Sequence, residues 1–139
     1  MTASLLCDAS ALVALILADD VNHKKCVGAV EAEPPVAMVS TWPCFTEAMY
    51  LLGREGGLPP QELLWNYLEL QALALHITDE VERPRLRQLM RKYADAPMDL
   101  ADASLVSAAE QLGLTRVLTL DRHFRAYRIH DRVAFNVIP

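Results

Sequence analysis

Short apolar runs separated by long helical stretches set the fold of this chain. Five runs read as strands, at residues 5–7, 36–40, 75–77, 117–120 and 134–138. They lack the regular apolar–polar alternation of a strand with one wet face, so each is covered on both faces. Strand, helix, strand in repetition implies a parallel sheet with helices on both sides, an α/β fold. Pro34-Pro35, Gly56-Gly57, Pro59-Pro60, Pro97 and Gly113 supply the breaks between elements. No linker, internal repeat or low-complexity stretch interrupts the 139 residues, which read as one domain over 1–139. At 53% hydrophobic and 22% charged, the chain has enough apolar surface to offset its conformational entropy, which excludes disorder.

The helices have readable starts and stops. Thr41 follows the second strand as an N-cap, and Pro43 sits in the first turn, where its missing N–H costs nothing. Pro59-Pro60 precede a helix over 61–73 whose Leu63, Leu64, Trp65, Tyr67, Leu68 and Leu70 wrap more than one face. Such a helix buries one side outside its own core, and a homodimer contact is the expectation. Pro84 starts or kinks a helix running to Tyr93, and the clearest helix spans 99–112, closed by Gly113.

Cys7, Cys26 and Cys44 are odd in number and match neither a disulfide framework nor a zinc-ligand spacing. They read as buried thiols in a reducing cytosol. The apolar run at 11–18 has no basic residue before it and is closed by Asp19-Asp20. It is too short for a membrane span and lacks the positive flank of a secretory signal, so the expectation is a soluble, cytoplasmic protein.

The functional signal lies in carboxylates at the ends of apolar elements. Asp8 follows the first strand and Asp121 the fourth, at the carboxyl edge where ligand sites of open α/β sheets lie. Taken singly, each reads equally as a helix N-cap or turn acid. Asp102 is different, because it shares a helix face with Leu105, Val106 and Ala109, the stripe expected to be buried, while Ser104, Ser107, Glu110 and Gln111 take the wet sides. Asp99 lies one turn earlier, where the helix dipole favours an anion or a cap. Glu47 belongs to the helix after the second strand, among Phe45, Ala48, Met49, Leu51 and Leu52, and alone reads as a solvent-facing acid.

Together these acids converge on one sheet edge. Two bare charges at 4 Å repel by ~4 kcal/mol at an effective dielectric of 20, so protons or a hard cation must neutralise them. All-oxygen ligands suit Mg²⁺ or Mn²⁺, and the chemistry that follows is phosphodiester hydrolysis by metal-activated water. The charge balance fits. The net charge of −5 hides an asymmetry, with 3 basic and 12 acidic side chains in residues 1–82 against 10 and 6 in residues 83–139. Setting Asp8, Glu47, Asp99, Asp102 and Asp121 aside leaves 13 acids against 13 bases. An acidic total therefore says little against an RNA partner. Arg122, Arg125 and Arg128 after the fourth acid, with Arg91 and Lys92 before the third, could flank a groove for RNA phosphates or simply be solvated surface charge. His23, His76 and His130 have no partners at ligand spacing and read as structural.

In this arrangement the chain resembles the PIN-domain family, and within it the VapC-type ribonuclease toxins of type II toxin–antitoxin pairs. The resemblance rests on Asp8-Ala9-Ser10, on Thr41 through Glu47 to Leu52, on Pro97 through Asp102 and Ala103 into Ser107–Glu110, and on Thr119 through Asp121 to Phe124. It covers essentially the whole chain. It implies a five-stranded parallel sheet in the order 3-2-1-4-5, with Asp8, Glu47, Asp102 and Asp121 as the metal-binding and catalytic acids. Asp99, Ser10 and Thr119 are implied as auxiliary groups, and a separately encoded antitoxin as the partner. Many relatives carry a further Asp two residues after the fourth acid, where this chain has His123, which weakens the case for a second metal. A receiver-type signalling domain shares the acids at strand ends but needs a Lys near its last strand, and Lys24, Lys25 and Lys92 are the only lysines. A dehalogenase-type phosphatase needs an Asp where Ser10 stands. A catalytically silent partner-binding module is the remaining alternative, favoured if one of the four acids faces away from the others.

Overall fold

The computed structural model describes residues 4–33 and 37–139. Four parallel pairings join five strands, in the order β3-β2-β1-β4-β7. Here β1 is Ser4–Cys7, β2 Ala37–Thr41, β3 Leu73–His76, β4 Arg116–Leu118 and β7 Asn136–Ile138. Leu6 pairs with Val39 on one side and Val117 on the other, so β1 is the central strand. The order matches the expected one, the last strand being seventh along the chain because two short strands precede it. Those two, β5 (Arg128–Ile129) and β6 (Val133–Ala134), form a small antiparallel hairpin that the apolar pattern does not announce. Residues 134–138 are therefore not one strand, since Ala134 belongs to the hairpin. The third strand also starts two residues earlier than expected and ends at His76. Pro34, Pro35 and Val36 lie outside the described residues.

Six helices flank the sheet: α1 (Ala9–Ile16), α2 (His23–Glu31), α3 (Trp42–Gly56), α4 (Leu58–Glu69), α5 (Arg83–Lys92) and α6 (Leu100–Leu112). Thr41 caps α3 as expected, its hydroxyl oxygen accepting from the Cys44 N–H. Pro59 and Pro60 lie inside the first turn of α4 rather than before it, and α4 stops at Glu69, short of the expected end at 73. Leu64 is its buried residue, while Leu63 and Trp65 on the same helix are exposed. Gly113, at φ +68°, closes α6 in the left-handed conformation that glycine adopts without strain.

Helix α6 is the middle of the molecule. Residues 101–109 are all buried, because α3, α5, β2 and β5 pack around it. That corrects the expectation for Ser104 and Ser107, which face protein and not water. Thr41 donates to the Ser104 hydroxyl at 2.7 Å, and Ser104 donates to the Ala101 carbonyl. Ser107 donates to Glu82 at 2.7 Å. Glu110 is no free surface acid either, since its carboxylate is held by Arg85. Small hydroxyl side chains can enter such a core only when each finds a partner. Among the described residues no helix is long and apolar enough to cross a membrane.

Candidate metal centre

The site forms where β1 and β4 end side by side. Asp8, the first residue after β1, caps α1 with its Oδ1, which accepts from the Ala9 N–H at 2.8 Å. Its Oδ2 accepts from the Thr119 hydroxyl at 2.8 Å, and Thr119 in turn accepts from the Asp121 N–H at 3.0 Å. One threonine thus ties the two strand-end acids together. Ser10 acts from the other side, its hydroxyl accepting from the Leu120 N–H, so it fixes backbone rather than a carboxylate.

Asp102 comes from the first turn of α6. Asp99 caps that helix, and the two acids form a reciprocal box: Asp99 accepts from the Asp102 N–H at 2.8 Å, and Asp102 from the Asp99 N–H at 3.2 Å. The cap reading of Asp99 and its auxiliary position are therefore compatible. Oxygens of Asp8, Asp102 and Asp121 lie within 4.8 Å of one another. Glu47 is exposed on α3, outside this trio. It still feels the same field: loss of hydration, then the charges of Asp99, Asp8 and Asp121, push its carboxyl above the usual range. It stands outside the trio, at the edge of its field.

Electrostatics explain what the trio lacks. Burial, then the charge of Asp99, pushes Asp102 up to about 8. Burial also raises Asp8, although the Thr119 hydroxyl and Ala9 N–H pull the other way. Among the described residues no lysine or arginine pairs with any of the three; the ion pairs formed by Arg54, Arg83, Arg85, Lys92 and Arg116 are with other acids. The His123 ring lies 2.8 Å from Asp121 Oδ1. That ring and the His123 backbone N–H both contact Asp121 Oδ1 and orient that carboxylate.

A hard divalent cation fits this donor set. Three carboxylates converge, all donors are oxygens, and among the described residues no lysine or arginine is ion-paired with them. Cys44 Sγ lies 3.9 Å from Asp8 Oδ1, but burial and the Asp8 charge drive its thiol far upward, so it offers no thiolate. Tyr127 is a neighbour that the sequence pattern does not single out. Its hydroxyl is 3.4 Å from Asp102 Oδ2 and 3.3 Å from the Ala96 carbonyl, bracing the α6 acid from the far side.

Comparison with known proteins shows the family. The PIN domain family profile matches residues 5–129. The chain belongs to the PIN domain family. Ribonuclease VapC26 of Mycobacterium tuberculosis is 28% identical over 136 residues, covering 97% of this chain and 100% of that protein. Among solved structures, VapC20 of Mycobacterium tuberculosis, a sarcin–ricin-loop-cleaving toxin, superposes with a TM-score of 0.79 at 17% identity, over 88% of this chain and 93% of that one. FitAcB from Neisseria gonorrhoeae superposes at 0.61 with 23% identity, over 95% and 96% of the two chains.

Five PIN-domain arginines and lysines expected near RNA meet different fates. Lys92 is 2.9 Å from Asp131, and the Arg128 guanidinium is capped by the Arg125 and Tyr127 carbonyls. Arg91, Arg122 and Arg125 are exposed and form no ion pair among the described residues. His76, read as structural from the sequence, hydrogen-bonds Glu82 at 3.1 Å, well away from the acidic trio.

Proposed function

We propose that this PIN domain is a Mg²⁺- or Mn²⁺-dependent endoribonuclease, the toxin of a toxin–antitoxin pair. The observation that carries the reading is the trio Asp8, Asp102 and Asp121, three carboxylates within 4.8 Å at the carboxyl edge of a parallel sheet, with no lysine or arginine ion-paired to them among the described residues. Near full-length similarity to the ribonuclease VapC26 supports RNA as the substrate. Asp8, Asp102 and Asp121 would hold the cation, which when bound supplies charge neutralisation and the activation of water for phosphodiester hydrolysis. Thr119 and the α1 cap hold Asp8 in one orientation, and His123 does the same for Asp121. The reciprocal cap with Asp99 and the Tyr127 hydroxyl fix Asp102. Glu47, at the rim, supplies a carboxylate for proton exchange with water at its Oε atoms. Preorganisation of this kind lets the site meet developing charge without rearranging.

The VapC-type resemblance supports a separately encoded antitoxin as partner and the cytoplasm as the place of action. The exposed apolar residues of α4, Leu58, Leu63 and Trp65, support a homodimer. Glu47 lying outside the trio is the one observation favouring a silent binding module instead, and activity decides between them. The expected result is RNA cleavage that requires Mg²⁺ or Mn²⁺, is abolished by EDTA and is eliminated in Asp8→Ala or Asp121→Ala. Cleavage undiminished in those variants would overturn the reading.

A further inference from the structure

The cations of this chain divide into two sets. Arg85, Lys92 and Arg116 are neutralised by Glu110, Asp131 and Glu33, and Arg128 is held by backbone carbonyls. A second set forms no ion pair among the described residues, and three of its members gather around one recess. Lys25 reaches it from α2, and Arg122 and Arg125 from the turn after β4. Asp121, a member of the acidic trio, Thr119 and Pro139 also line it. Residues about 100 apart in sequence therefore bring three positive charges to a single hollow, with Asp121 as its one carboxylate.

Like charges brought together without a counter-ion repel, by the same arithmetic that applies to the trio next door. Asp121 offsets one of the three charges, and an added anion would offset the rest. The hollow is about 140 Å³, small beside the roughly 300–1,000 Å³ of pockets that take whole organic ligands. It suits one anionic group. Arginine and lysine donors are the usual partners of phosphate oxygens.

We infer that Lys25, Arg122 and Arg125 form a subsite for a non-scissile phosphate of the RNA strand, next to the acidic trio. The inference deepens the nuclease reading and rests on it for the identity of the strand. Lys25 is the member that sequence order conceals, because it precedes Asp121 by most of the domain and sits in the acidic half of the chain. The subsite gives the substrate a direction: from the trio, past Asp121, toward the β7 edge of the sheet.

The test is binding of a fluorescein-labelled oligouridylate by the purified full chain in EDTA, where cleavage is silent, followed across a salt series. One phosphate contact to a single strand contributes a salt slope of about 0.7, which corresponds to about fivefold in affinity at 0.1 M salt. Lys25→Gln is expected to weaken binding by about that factor and to lower the slope by about 0.7, while Lys24→Gln, on the exposed neighbour, leaves both unchanged. Arg122→Gln and Arg125→Gln are expected to lower the slope likewise. A Lys25→Gln slope indistinguishable from that of Lys24→Gln overturns the subsite, as does a wild-type chain that does not bind. Wild-type binding with the Lys25-dependent slope but no cleavage in Mg²⁺ upholds the subsite and overturns the nuclease reading.

Discussion

The two ends of α6 bury carboxylates in opposite ways. At its N-terminal turn Asp102 faces Asp8 and Asp121 with no lysine or arginine among its described partners, and burial pushes it upward. One and a half turns later Ser107 reaches Glu82, which is equally buried. Burial acts against the charge of Glu82 too, but the Asp79 N–H, the Ser107 hydroxyl and the His76 ring outweigh it and hold the carboxyl below its usual range. Further along, Arg85 grips Glu110 with two hydrogen bonds. The contrast teaches that burial does not by itself mark a reactive acid. What marks it is the absence of fixed donors sufficient to keep its charge, which leaves that work to something not built into the chain.

The largest expected effect separates the two ends by activity. Asp102→Asn should lower RNA cleavage by about 10²–10³-fold, measured with defined substrates in Mg²⁺. Glu82→Gln, at the other end, should leave cleavage by the folded protein near wild type. Saturating Mg²⁺ comes next. At about 100 times its dissociation constant it should stabilise the wild type by about 2.7 kcal/mol in thermal melts. Asp121→Asn should lose most of that gain and Glu82→Gln should keep it; an equal response in both would erase the distinction.

Stability should then rank the ends in reverse. Glu82→Gln is expected to cost about 2 kcal/mol in urea unfolding, the value of hydrogen bonds to a buried charge. Because the folded carboxyl is held low, its contribution is complete above the ordinary carboxylate range and fades as pH falls through the lowered value. The variant should therefore show a flatter loss of stability between about pH 5 and pH 2. Smallest is the gain from Asp102→Asn in EDTA, about 1 kcal/mol or about 3 °C in Tm at neutral pH. Asp102 is raised, so the wild type loses stability as pH climbs from the unfolded value. The gain should fade as pH falls toward the unfolded carboxyl's value and vanish below about pH 3, where the carboxyl is protonated in either state. A gain that persisted there would refute charge as its origin.

Much of this was legible in the residues themselves. Asp8 and Asp121 stand directly after apolar runs, and Asp102 interrupts a buried stripe; each is a local signal that a carboxylate has been put where a hydrophobe belongs. The N-cap roles of Thr41 and Asp99 and the stop at Gly113 are local too. What was not legible depends on distant partners. Ser104 and Ser107 read as wet because their helix shows one clear apolar face, yet α6 is enclosed all round, and the groups that satisfy them, Thr41 and Glu82, lie 63 and 25 residues away. The β5–β6 hairpin was hidden because two-residue strands carry no periodicity. Glu47 gave the right helix but not its distance from the trio, which the packing of α3 sets.

The hydrogen bond from Thr119 to Asp8 joins residues 111 positions apart, and Ile138 supplies the carbonyl that receives the Thr119 N–H. During synthesis the first acid leaves the ribosome long before the residues that orient it have been made. A partial chain can hold β1, β2 and their helices and still have no assembled centre. The three carboxylates can therefore come together only after most of the domain has been made.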